Sequence, residues 1–339
     1  MNGRVKIELL IKERMTMKEV EEVRSSLQEL RVKLQTGKIY QSLLAEIDGV
    51  IGSIKQTPLT EVQLPNDQDG ILDLIHDLRD QLSEHKLDEI SNDDLLKLFQ
   101  HIGSTNLFIR DKGVYFLFSD ILQQQITTKK QLKMIFDLLV KDESLFPHIT
   151  EPENDAIFQR SFSLMFLSTL LYIDRAGSKF IDDESKNTLV DQLVTYIALE
   201  TDTRGYAGQK GWAHAYTHIG NVLDELAVDS SLVRADKLLM LAVLLVRYKR
   251  LESPLIFGEP ERLASYIADL TSQNKLYSDF LLLALKNWRH ELVSIQAKED
   301  EAMWTRLYNR QRLLQALVLN PEMPKAITTY LNEENDFRF

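Results

Sequence analysis

The sequence predicts an all-α fold built from stacked antiparallel helical hairpins, arranged either as an open solenoid or as a closed α/α toroid. Three observations predict it. Apolar residues recur with a period near 3.6 in one segment after another, and no stretch of useful length alternates with period two. The 339 residues hold only 13 Gly and 8 Pro, too few turn-formers for many short strands. Around a dozen helical patterns of about 10 to 20 residues follow one another with short separators, as such hairpin stacks require. No repeat signature recurs at a fixed period, so the architecture rests on helix number and loop length.

From Lys18 to Thr36, Val20, Val23, Leu27, Leu30 and Leu34 recur at alternating gaps of three and four, the spacing of a coiled-coil seam. Lys38 to Ile54 carries a second stripe of Ile39, Leu43, Ile47, Ile51 and Ile54. Two such short segments favour an antiparallel hairpin over a dimeric coil, because isolated short helices are marginal. The hairpin forms an N-terminal extension over residues 1–60. Residues 1–16 match no helix template, and a later chain start at Met15 or Met17 would precede the first clean pattern.

Thr57 to Gly70, with two prolines and an Asn-Asp pair, reads as a linker before an all-α domain over residues 71–339. Helices are expected at Ile71–His85, Asp93–Ile102, Asn106–Gln125, Thr128–Lys141, Asp155–Asp174 and Asp183–Glu200. They continue at Gly211–Val228, Leu232–Leu251, Glu259–Thr271, Tyr277–Gln296, Asp300–Leu319 and Glu322–Asn332. Gly103-Ser104-Thr105 and Pro147 to Asn154 supply capping and breaking residues between them.

The net charge of −11 and a pI near 5.2 argue against nucleic acid as a partner, since phosphate neutralisation needs clustered Lys and Arg. Basic and aromatic residues near the C-terminus, among them Lys286, Trp288, Trp304 and Arg306, alternate with acids and read as helix packing with solvated charges. Zero cysteines exclude disulfides, thiolate metal sites and a cysteine nucleophile. The longest apolar run, Leu238 to Val246, is far shorter than the roughly 20 residues that cross a bilayer. No secretory signal pattern opens the chain, and a cytoplasmic protein is expected.

One stretch stands apart, Asp202 to Glu225, a glycine-punctuated loop running into a helix with His214 and His218. At about 100° per residue from Gly211, Trp212, Ala215, Ile219, Val222, Leu223 and Leu226 share one side. His214, His218, Asn221 and Glu225 share the other, so the histidines are expected on a polar face lining a groove or meeting solvent. Histidines four apart can hold one divalent metal ion, with Asp202 or Glu225 completing the shell. Ala215 follows the first histidine where a zinc protease would carry Glu, which excludes that mechanism. In the loop, Arg204 and Lys210 bring positive charge beside the helix N-terminus and could receive an anion. Alternatively Arg204 pairs with Asp202 or Glu200 as part of a structural loop. Arg160, inside an otherwise apolar helix, needs a partner or points into the same groove.

Several marks in order resemble a bacterial, mostly Firmicutes, family of uncharacterised proteins, DUF 2785. They are Gly103-Ser104 with Arg110-Asp111, then Phe158-Gln159-Arg160-Ser161-Phe162-Ser163, then Glu200 to Tyr206, Lys210 to Ala215, and His218. The similarity runs from about Leu95 to beyond Ala227. It implies a HEAT-like α/α superhelix or toroid in a cytoplasmic setting, and supplies no activity. Asn221 stands where the family carries an acidic residue. The function expected is a ligand- or protein-binding scaffold, taking a small molecule or a peptide at a groove around Asp202–Glu225. The alternative is a metal-dependent, hydrolase-like enzyme using His214 and His218.

Overall fold

Helix periodicity, sparse breakers and short connections produce fifteen α-helices among the residues described, 3–294 and 300–333, of a computed structural model. Residues 1–2, 295–299 and 334–339 lie outside the described residues, and with them the expected helix end at Gln296 and both outer domain bounds. The helices are α1 (Gly3–Gln35), α2 (Leu43–Ser53), α3 (Ile71–Ser83), α4 (Asn92–Gln100), α5 (Leu117–Gln123), α6 (Lys129–Leu139), α7 (Asp142–Leu145) and α8 (Ile157–Ile173). They continue as α9 (Asp183–Leu199), α10 (Ala215–Val228), α11 (Arg234–Lys249), α12 (Glu259–Gln273), α13 (Lys275–Ser294), α14 (Glu301–Leu319) and α15 (Lys325–Glu333).

The packing is that of an all-α superhelix. Along one layer α4 touches α6, α6 touches α8, and the series continues through α10, α12 and α14. The intervening α9, α11 and α13 form the second layer, so each hairpin contributes one helix to each. The α1–α2 hairpin lies on α9 and α11. These two helices are therefore buried on nearly every side, and Leu238 to Val246 is apolar all round because it has neighbours all round. No helix among the described residues is long and apolar enough to cross a membrane.

Polar contacts fix the hairpin in register. Arg31 donates from Nε and Nη2 to both oxygens of Asp236, at 2.8 and 2.7 Å, and from Nη1 to Asp191 at 2.8 Å. A bidentate pair of this kind adds direction as well as energy. Helix α1 begins at Gly3, well before the expected Lys18. No Gly or Pro interrupts the chain between Gly3 and Gly37, and helix propagation adds one bond per residue once a turn exists. The non-helical stretch over residues 54–66 is tied down at Thr57, whose N–H donates to the Thr150 carbonyl at 2.9 Å, and at Thr60, whose N–H donates to Glu151 at 2.7 Å.

Two elements differ from expectation in ways that shape the site. The helix expected over Asn106–Gln125 opens with wide π turns at Phe108–Phe116 before α5. The helix expected from Gly211 begins only at Ala215, because the residues before it are folded into a hairpin-like loop.

Candidate functional site

The loop joining α9 to α10 has two halves of opposite character. Its first half is sunk into the protein. Glu200, just past α9, accepts from Arg160 Nε at 2.9 Å and Nη2 at 3.2 Å, from the Tyr196 hydroxyl at 2.9 Å and from the Asp202 N–H at 2.9 Å. Arg160 also donates to the Pro147 carbonyl at 2.9 Å, and the Tyr216 hydroxyl donates to the Glu200 carbonyl at 2.8 Å. Arg160 and Glu200 are each 1% exposed, so this is an ion pair withdrawn from water. Arg204 then grips Asp202 through Nε and Nη2, the shortest contact being 2.6 Å, and donates to the Asn154 carbonyl. Both arginines thus hold the loop in place, and the anion-receiving role expected of Arg204 is taken by Asp202 of its own loop.

The second half turns outward. Ala207 N–H donates to the Gly211 carbonyl and Ala213 N–H to the Gly205 carbonyl, both at 2.8 Å, which pairs Tyr206 with Trp212. Gly211 adopts φ +77°, which favours glycine, and a Cβ there would press on Arg110 Nη2 at 3.1 Å. Gly205 lies flat on the Phe257 ring, where a Cβ would come within 2.4 Å of a ring carbon. Lys210 bonds Asp155 at 2.6 Å, which occupies the second expected anion ligand.

Beneath this loop sits Arg110, fully buried. Its guanidinium lies 4.3 Å from the Phe158 ring centroid and 4.7 Å from that of Phe162. It donates to the Ser104 carbonyl at 2.9 Å, the Lys210 carbonyl at 2.8 Å and the adjacent Asp111. The marks quoted for the resemblance, separate in sequence, therefore meet in space: Arg110 touches the Ser104 carbonyl, the α8 phenylalanines and the Lys210–Gly211 turn.

Above it, Trp212 is 41% exposed, Tyr206 49% and Phe257 45%. The Trp212 ring stacks on His214 at 4.2 Å and 15°, and makes edge contacts with Tyr206 at 4.8 Å and Phe257 at 5.6 Å. Trp212 was expected on the apolar side of a helix. It lies instead in the loop before the helix, away from α10's core face.

His214 itself is left-handed, at φ 51°, and its N–H donates to the Arg204 carbonyl at 3.1 Å. Such a backbone costs a non-glycine residue of order 1–3 kcal/mol, which the surrounding contacts must offset. Its Nδ1 lies 3.3 Å from Thr217 Oγ1 and 3.4 Å from Oε1 of Glu259, a carboxylate 1% exposed. Glu259 Oε2 accepts from the Phe257 N–H at 2.8 Å, so this side chain positions Phe257, while its buried Oε1 faces His214 with no hydrogen-bond partner among the described residues.

His218 does not share the polar face expected for it. It is buried against Phe162, 6.0 Å between ring centroids, and its Nδ1 has no hydrogen-bond partner among the described residues. Burial, with His214 beside it, lowers its pKa from 6.5 to about 3, leaving a neutral imidazole. The reason is that α10 packs against α8 on one flank and α12 on the other. Two buried flanks leave a narrow, partly exposed stripe of His214, Thr217, Asn221, Asp224 and Glu225, which His218 does not join. Asn221 Oδ1 accepts from Arg262 Nε at 2.6 Å, and Arg262 also pairs with Asp224. Glu225 bonds Arg175 at 2.9 Å, away from the histidines.

These residues do not fit a shared metal ion. His218 is buried against Phe162, and Asp202 and Glu225 are tied to Arg204 and Arg175. Among the described residues no group of three or more His, Asp or Glu is arranged to hold a metal. Sequence reasoning missed Glu259 and Phe257, and it offered Glu200 as a partner of Arg204 where the structure pairs it with Arg160. A carboxylate following Gly258 at the head of a helix is an ordinary N-terminal feature, and nothing in one sequence brings it to a histidine 45 residues away.

A family model described as "Protein of unknown function (DUF2785)" matches residues 145–319. The match starts later than the Leu95 of the resemblance and continues past Ala227 to the end of α14. No curated protein and no solved structure matches the chain.

Proposed function

Since the chain belongs to the family described as Protein of unknown function (DUF2785), a membership that names no reaction, we propose its function from the site alone. It is a binding protein without catalytic machinery, acting in the cytoplasm, which recognises a peptide segment at the Tyr206–Trp212–Phe257 surface. The observation that carries this reading is Trp212: an indole 41% exposed, yet held between His214, Tyr206 and Phe257. Immobilised, half-exposed aromatic side chains lose little conformational entropy on binding and dominate recognition surfaces.

The arrangement supports a division of labour. The aromatic rings supply area for an apolar or planar side chain. His214, beside Thr217 and Glu259, supplies a polar ring edge next to them. Arg160, Asp202, Arg204 and Lys210 act one step back, by fixing the loop that carries the rings.

Selection of a displayed peptide library on the native protein, with Trp212→Ala as counter-selection, tests the reading. The recovered peptides are expected to share an apolar or aromatic residue and to bind Trp212→Ala and Phe257→Ala at least tenfold more weakly. Peptides that bind wild type and both variants equally would overturn it.

A further inference from the structure

A second surface, on the opposite chemical principle, lies between α4, α6 and the corner that precedes α9. It is an open groove of about 640 Å³, within the size range of ligand-binding clefts. Lys129, Lys130, Lys133, Lys141 and Lys179 line it, in a protein whose net charge is −11. Lys133 is neutralised by Asp137 at 2.6 Å and also faces Asp182. The other four are exposed, and their ammonium groups have no ion pair among the described residues. The floor is apolar, made by Leu96, Met134, Leu138 and Phe180.

The corner carrying Lys179 and Phe180 is fixed. Lys179 is left-handed at φ 50°, and Asp174, 3% exposed, accepts from the N–H groups of Phe180 at 2.6 Å and Ile181 at 2.9 Å. One wall of the groove is thus held by a buried carboxylate, and the other is a helix with a closed capping box at Thr128 and Gln131.

We propose that this groove binds an extended acidic peptide segment of a partner protein, with one or two apolar side chains set on the Met134–Phe180 floor. The spacing selects this occupant. At about 1.5 Å per helical residue, α6 carries the lysines along roughly 15 Å from Lys129 to Leu139, with Lys141 just past its end, the reach of about five extended residues at about 3.3 Å each. The lysines are distributed along that length and do not converge on one point, as a single phosphate would require. A nucleic acid would extend past the lysines along a protein of net charge −11, whereas a short peptide stays beside them, where their field is not screened over the roughly 8 Å Debye length at physiological salt.

The test is fluorescence anisotropy of a short labelled peptide of alternating Glu and Asp with a central Phe and Leu, added to the full chain. Controls are the amide version of the peptide, a single-stranded oligonucleotide and inorganic pyrophosphate. Each of Lys130→Glu and Lys141→Glu, and the pair together, is compared with Lys325→Glu, a single charge reversal at an exposed position of α15. The inference expects saturable binding that weakens at least tenfold in the double groove variant, is unchanged in Lys325→Glu, and is absent for the amide peptide. Circular dichroism of the variants separates lost binding from lost fold. Equal affinity for wild type and the double groove variant, binding of the amide peptide, tighter binding of the oligonucleotide or pyrophosphate, or no binding at low salt each overturns it.

Discussion

Glu200–Arg204 and Tyr206–His214 are consecutive pieces of one loop, and they use their polar and aromatic residues in opposite ways. In the first piece every charged group is matched inside the protein: Glu200 by Arg160 and Tyr196, Asp202 by Arg204. In the second, large rings that could have been buried are held half in water. A motif-like stretch is therefore not uniformly functional. Its charged residues build the platform, and its aromatic residues are what the platform presents.

The comparison breaks most visibly at the ion pair. Removing one partner of a buried pair leaves an unpaired charge, so Arg160→Ala or Glu200→Ala is expected to cost about 3–5 kcal/mol in urea unfolding. A loss under about 1 kcal/mol would show that the first half of the loop is not the support. Gly211→Ala comes next, at about 2–3 kcal/mol, from positive φ and the crowding against Arg110. It should also release the tryptophan, visible as a loss of the ring-current shift between the Trp212 and His214 rings in NMR spectra.

His218 supplies a pH test. Its folded pKa near 3 lies below the ordinary 6.5, through burial and the neighbouring His214, so between these values the unfolded chain binds the extra proton. Stability contributed by keeping it neutral is complete above pH 6.5 and is lost as pH falls toward 3, at up to about 1.4 kcal/mol per pH unit. Unfolding curves at pH 7, 6 and 5 should show this slope, and His218→Gln should remove it. Equal slopes in the two proteins would place His218 in solvent, on the polar face that helical projection assigned to it.

Helix positions were legible in sequence because amphipathic periodicity is local: Val20 to Leu34 and Ile39 to Ile51 are buried as their spacing requires. Arg160's need for a partner was legible too, since an arginine among Phe158, Phe162 and Leu164 has few alternatives. The partner's identity, Glu200, was not, being set by how α8 meets α9. Of the expected polar face, His214, Asn221 and Glu225 are partly exposed but His218 is buried, because a projection assumes one buried side, whereas α10 has two. It also assumed a helix from Gly211, and the Tyr206–Trp212 pairing, made by the glycines at 205 and 211, delays that helix to Ala215. Glu259 and Phe257 arrive from the start of α12 by tertiary packing alone.

The smallest expected effect carries the most weight. If the second half of the loop exists to bind and not to hold the fold, Trp212→Ala should lower the unfolding free energy by clearly less than the loss of the buried ion pair, since the ring is 41% exposed. Measured in urea beside Arg160→Ala under identical conditions, a Trp212→Ala loss several-fold smaller is the predicted result. A loss equal to that of Arg160→Ala would make Trp212 part of the support and contradict the account.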